Sequence, residues 1–76
     1  MTNTQMNILD EKYFGINLYR IRNEKGLTIE ELAERIGKTP RLISYYESSQ
    51  KFPGLKTLIK IATVLEVTLD SILRSA

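Results

Sequence analysis

Residues 29–46 read I-E-E-L-A-E-R-I-G-K-T-P-R-L-I-S-Y-Y, and this stretch decides the fold. Thr28, just before it, carries a hydroxyl suited to capping a helix, and Glu31, three residues on, completes an S/T-x-x-E capping box. Leu32, Ala33 and Ile36 then share one face of a two-turn helix. Gly37 follows the last apolar position, where a left-handed backbone ends a helix at no steric cost. Only Lys38 separates it from Thr39, a second cap, and Pro40 takes the first helical position, where a missing N–H removes no hydrogen bond. At roughly 100° per residue, Ile43, Tyr46 and Glu47 form the inner side of this second helix, with Pro40 among them. Helix, tight glycine turn, helix: the spacing predicts a helix-turn-helix, in which Ala33 is small enough for the second helix to cross the first closely.

Three more helices are expected around this pair. Asp10 is a suitable cap for one running to about Lys25, with Phe14, Leu18 and Ile21 at i, i+4 and i+7 and Gly26 as its stop. Gly15 weakens that helix modestly by its flexibility, and Leu27 is expected in the core. Residues 48–54 form a loop punctuated by Pro53-Gly54. A fourth helix is predicted from about Leu55 to Leu65, with Leu58, Ile61, Ala62 and Leu65 inward, and Thr68 caps a short fifth carrying Leu69, Ile72 and Leu73. Residues 1–9 show no sustained period and are expected to be a flexible tail, leaving residues 10–76 as the domain. The expected fold class is all-α, a compact five-helix bundle.

The chain has 76 residues, room for one small core, and neither Cys nor His. Disulfides are thereby excluded and the usual zinc ligands are missing; no metal or cofactor is expected. No apolar run approaches the roughly 18 residues that span a bilayer, and the polar start lacks the basic and apolar regions of a signal peptide, so a cytoplasmic location is expected. The net charge of +2 is small, but it is unevenly placed. Residues 35–60 hold Arg35, Lys38, Arg41, Lys51, Lys56 and Lys60 against Glu47 alone. A basic block beginning at the end of the first helix of the pair and running through the second suits a phosphate-facing surface.

The second helix of the pair turns Arg41, Ser44, Tyr45 and Ser48 outward, with Leu42 on the flank. A guanidinium, two hydroxyls, a phenol and an aliphatic edge are the groups that read bases: arginine bonds guanine O6 and N7 together, and an aliphatic edge meets a thymine methyl. The helix N-termini at Thr28 and Thr39 add backbone N–H groups and the positive dipole end, both suited to phosphate. Glu30 and Glu34 share an edge expected to face solvent. Glu47 falls on the inner side, where a lone carboxylate is costly, and Arg22 on the first helix is the candidate partner.

From about Leu18 to Leu73 the chain resembles the Cro/CI-type helix-turn-helix domain of the XRE family. The matching residues are L-x-x-I-R at Leu18 to Arg22, K-G-L-T at Lys25 to Thr28 and E-L-A at Glu31 to Ala33, followed by Gly37, Ile43, Glu47, Pro53 and L-x-x-I-A-x-x-L-x-V at Leu58 to Val67. The resemblance implies a five-helix DNA-binding domain with a buried Arg22–Glu47 ion pair. Base-reading positions implied by it are Pro40, Arg41, Ser44 and Tyr45, with Leu42 nearby. Thr28, Thr39 and Lys51 are the implied phosphate contacts, and Lys38 joins them from the basic block. Four residues depart from the family pattern: Ile29 stands at a common glutamine, Pro40 at an often polar reader, Ser48-Ser49 at a usual Asn-Gly, and Glu66 at a frequent helix-ending glycine.

The function expected is a transcriptional regulator, a repressor, binding double-stranded DNA as a homodimer on an inverted repeat. Ile59, Val64 and Leu73 are candidate dimer contacts, as is the tail. The alternative is an antitoxin-like or other protein-interaction module that keeps the fold, favoured by Ile29 and by the modest net charge. An enzyme is not expected: the clustered acids Glu30, Glu31 and Glu34 lie on one short helix without His, Cys or a glycine-rich phosphate loop.

Overall fold

A computed structural model describes residues 11–75; the expected tail over residues 1–9 and the Asp10 cap lie outside them. A 3-10 turn at Glu11–Tyr13 leads into α1 (Phe14–Glu24), followed by α2 (Ile29–Ile36), α3 (Pro40–Glu47), α4 (Leu55–Leu65) and α5 (Leu69–Leu73). The fold is all-α, as expected. The first α-helix starts later than a cap at Asp10 suggested, at the first residue of its apolar period. Glu11–Tyr13 buries no residue, and the α-helical ladder begins at Phe14, the first side chain to enter the core.

The core takes one stripe from each helix. Phe14, Leu18 and Ile21 of α1 meet Leu32, Ala33 and Ile36 of α2, Ile43 and Tyr46 of α3, Leu58, Ile61 and Leu65 of α4, and Ile72 of α5. Helix α1 packs against α3 and α5, α2 against α3 and α4, and α4 closes on α5. Phe14 is a hub among the aromatic residues: its ring lies edge-on to Tyr46 at 5.9 Å and to Phe52 at 5.3 Å between centroids. Phe52, read from sequence only as part of a loop, therefore anchors that loop to α1. No helix among the described residues is long and apolar enough to cross a membrane.

Two polar or backbone features that periodicity does not signal hold α1 in place. Asn17 is buried, and its Nδ2 donates to the carbonyls of Ile72 at 3.0 Å and Arg74 at 2.8 Å, so α5 is fastened to α1 by one side-chain amide. At Gly15 the end of α3 comes so near that a Cβ there would lie 2.7 Å from the Tyr46 carbonyl oxygen and 2.8 Å from that of Glu47. The role of Gly15 is thus close approach. The flexibility penalty expected from sequence is outweighed by the packing of α1 on α3.

Candidate nucleic-acid interface

Helix α2 begins with the capping box in full: Thr28 Oγ1 accepts from the Glu31 amide at 3.0 Å, and the Thr28 amide donates to Glu31 Oε1 at 2.8 Å. That bond from the Thr28 amide holds the Glu31 carboxyl below its ordinary range. Gly37, at φ 72°, ends α2. The amide of Lys38 bonds back to the Ala33 carbonyl at 2.9 Å and that of Gly37 to Glu34 at 3.2 Å, the paired bonds of a Schellman motif. The chain then needs only Lys38 before Thr39 caps α3 through the Leu42 amide at 3.3 Å.

Three inward groups fix how α3 is rotated. Ile43 and Tyr46 are buried, and burial pushes the Tyr46 phenol up in pKa. The third is Glu47, gripped by Arg22: Arg22 Nε donates to Oε2 at 2.6 Å and Nη2 to Oε1 at 3.1 Å, while Nη1 donates to the Leu27 carbonyl at 2.8 Å. The two side chains are only 7% and 9% exposed, and this two-pronged bond to Glu47 holds the guanidinium more firmly in its charged form. The Tyr19 ring centroid lies 5.6 Å from the guanidinium carbon of Arg22, a cation–π contact on the same ion-paired group.

With that side pinned, Arg41 and Ser44 are exposed, and Leu42 and Tyr45 are half-buried at the edges. Pro40 is exposed too, which corrects its placement on the inner side. The angular argument holds where a helix is packed along its length, but Gly37 to Arg41 are all exposed, so the first turn of α3 projects beyond the body. Ser48 is exposed, but its Oγ donates back to the Tyr45 carbonyl at 3.2 Å. Thr28, Lys38, Thr39 and Lys51 are exposed, as are Glu30 and Glu34. The two threonine oxygens accept as caps, and each hydroxyl keeps its own O–H to donate. Pro40 has no N–H to offer, and the Leu42 amide is bonded to Thr39 just as the Glu31 amide of α2 is bonded to Thr28.

After α3 the chain turns at Ser49, which adopts a left-handed φ of 64° where Gly or Asn is at ease. The Tyr45 carbonyl accepts from the amides of Gln50 at 2.8 Å and Lys51 at 3.3 Å, and Lys51 Nζ sits 5.8 Å from the centroid of the Tyr45 ring. This coupling of the loop to the outward face was not foreseen from sequence, where Tyr45 and Lys51 carried separate roles. Of the residues offered as dimer contacts, Ile59 is 47% exposed, whereas Val64 and Leu73 lean on the core; Leu55, at 67%, is more open than any of them.

The helix-turn-helix family profile, HTH_3, matches residues 18–72. Among curated relatives, an uncharacterized HTH-type transcriptional regulator of Bacillus subtilis, YqaE, is 38% identical over 61 residues, 80% of this chain and 53% of that protein. An uncharacterized HTH-type regulator of Sinorhizobium fredii, y4dJ, is 39% identical over 57 residues, 75% of this chain and 74% of that one. The chain thus spans about half the length of the first of these relatives. Among solved structures, the biofilm master regulator SinR in complex with DNA superposes with a TM-score of 0.74 at 31% identity, over 79% of this chain and 97% of that one.

Proposed function

The chain belongs to the helix-turn-helix (HTH_3) family, and on that premise we propose that it is a sequence-specific transcriptional regulator that lays α3 in the major groove of double-stranded DNA. The observation that carries this reading is the outward side of α3, where Arg41 and Ser44 stand exposed on a helix whose inner side is fixed by Ile43, Tyr46 and the Arg22–Glu47 pair. A reading helix must present its side chains at a set rotation, and those three anchors supply it. In this scheme Arg41 bonds guanine O6 and N7, Ser44 and the Tyr45 hydroxyl reach base edges, Leu42 meets a thymine methyl, and Pro40 sets where the helix enters. Thr28 and Thr39 donate to phosphate oxygens beside the two helix N-termini, and Lys38 and Lys51 supply charge.

One copy of α3 reads only a few base pairs, too few to mark a site in a genome, so the regulator works as a homodimer on an inverted repeat. The half-site centres then lie about one helical turn, roughly 34 Å, apart. Repression is the action proposed, since occupancy alone achieves it. The SinR–DNA complex among the solved relatives supports the DNA-bound mode for this fold.

The test is selection of bound duplexes from a random pool, followed by Arg41→Ala. The substitution is expected to weaken binding to the selected duplex by about 1–3 kcal/mol and to relax preference at one base pair, with little change on unrelated DNA. Equal losses on both duplexes would make Arg41 a phosphate contact and remove it from the reading set.

A further inference from the structure

The loop after α3 is built on one residue of the reading helix. The Tyr45 carbonyl accepts the amides of both Gln50 and Lys51 and the hydroxyl of Ser48, while the Tyr45 ring lies under the Lys51 ammonium. The two amide bonds fix where Lys51 leaves the chain, and the ring then restricts where its side chain goes. A lysine that must grip a phosphate loses much rotamer freedom in doing so, and restricting it beforehand lowers that cost. The 5.8 Å separation is within the range over which a ring face attracts an ammonium.

We propose that Tyr45 is a positioning residue for Lys51: its ring face holds the ammonium ready for a DNA phosphate, and this role is separate from any base contact by its hydroxyl. The inference rests on the DNA-binding reading above. The hydroxyl is at the far end of the ring and has its own chemistry, a donor and an acceptor for base edges. The ring face has no sequence information to give. Tyr45 therefore contributes twice, once to all sequences through Lys51 and once to particular ones through its hydroxyl.

A thermodynamic cycle separates the two. Wild type, Tyr45→Phe, Tyr45→Leu, Lys51→Ala and the Leu/Ala double variant are titrated with the selected duplex and with an unrelated one across a range of salt. Each is first checked for a single cooperative melting transition. Tyr45→Leu is expected to weaken binding to the unrelated duplex about two- to fivefold and to flatten the salt dependence, the size of an exposed ammonium–ring contact. Tyr45→Phe keeps the ring and is expected to restore both, losing only preference at a base pair. In the Lys51→Ala background, Tyr45→Leu should cost the unrelated duplex nothing further. Independent, multiplying losses, or Phe as damaging as Leu, overturn the inference while leaving DNA binding intact. A wild-type protein that binds neither duplex overturns the DNA-binding reading and the inference together. A DNA-free check needs no substitution: the Lys51 Hε proton signals should be displaced upfield by the Tyr45 ring current, and ordinary lysine shifts would refute the contact.

Discussion

At the scale of single residues, Gly15 separates what pattern shows from what only packing shows. A glycine inside a helix ordinarily costs about 0.5–1 kcal/mol relative to alanine, so Gly15→Ala would stabilise an isolated α1. In the fold, the added methyl meets two backbone carbonyl oxygens of α3 and the Ser49 Oγ, all within 2.8 Å. Overpacking of this kind costs about 1–3 kcal/mol, and neither carbonyl can rotate away without moving α3. The variant is expected to melt lower by roughly 4–8 °C per kcal/mol lost, for a domain of this size. A higher melting temperature would show that α1 and α3 do not approach this closely. Asn17 is hidden from sequence reasoning for a similar reason. Its partners, the carbonyls of Ile72 and Arg74, are more than fifty positions away, and nothing in the local pattern marks them. Arg22 and Glu47 were legible because each is an ionic group beside an apolar stripe, a placement that calls for a partner. Of the outward groups, Arg41 and Ser44 follow from periodicity alone. The Tyr45–Lys51 contact does not, since it depends on the loop turning back.

At the scale of elements, four helices end alike while the sequence advertises two of them. Gly26, Gly37, Ser49 and Glu66 all take positive φ, and each is followed by an amide bonding back five residues: Leu27 to Arg22, Lys38 to Ala33, Gln50 to Tyr45 and Val67 to Ala62. Glycine makes the first two obvious. At Ser49 and Glu66 a side chain is held in a conformation that L-residues resist, and Glu66 adds a negative charge at the negative end of the α4 dipole. Glu66→Gly is expected to stabilise the fold by about 0.5–1 kcal/mol, the relief of strain being offset by the freer unfolded chain; a fall in the urea midpoint would contradict this. The start of α2 carries a pH signature. Glu31 titrates below its ordinary value of 4.5 because the Thr28 amide bonds its carboxylate. Its contribution is therefore present above the unfolded value and is lost as pH falls through the folded one. Glu31→Gln should lower the neutral plateau slightly and flatten the acid limb of a melting-temperature profile in that window, the two profiles converging at low pH. An acid limb identical to wild type would remove the capping box from the account. Caps and apolar spacing made all five helices legible. The first boundary was misplaced because Glu11–Tyr13 contributes no core residue, and Pro40 because a projecting first turn escapes the angular rule.

At the scale of the whole molecule, the helices serve to hold one side of α3 out from the body in a fixed rotation. Helix α1 supplies Arg22 and the close approach at Gly15, and α2 braces α3 through Ala33 and the turn at Gly37. The exposed basic residues of positions 35–60 surround this element in sequence, whereas Glu30 and Glu34 stand out on α2. Family membership and the fold follow from the spacing of apolar, capping and turn residues, which is why they could be read before any coordinates. The partner surface could not, since Leu55 and Ile59 are open apolar side chains whose spacing carries no address. Whether the outward side of α3 meets DNA is read most directly from the dependence of affinity for a selected duplex on salt. Contacts to several phosphates predict a straight plot of log K against log salt that falls by several units per decade, at about 0.9 per phosphate neutralised. The selected duplex should also be preferred over an unrelated one by about a thousandfold or more at the same salt. A slope near zero, or equal affinity for both duplexes, would contradict the account and return the fold to the alternative of a protein-binding module.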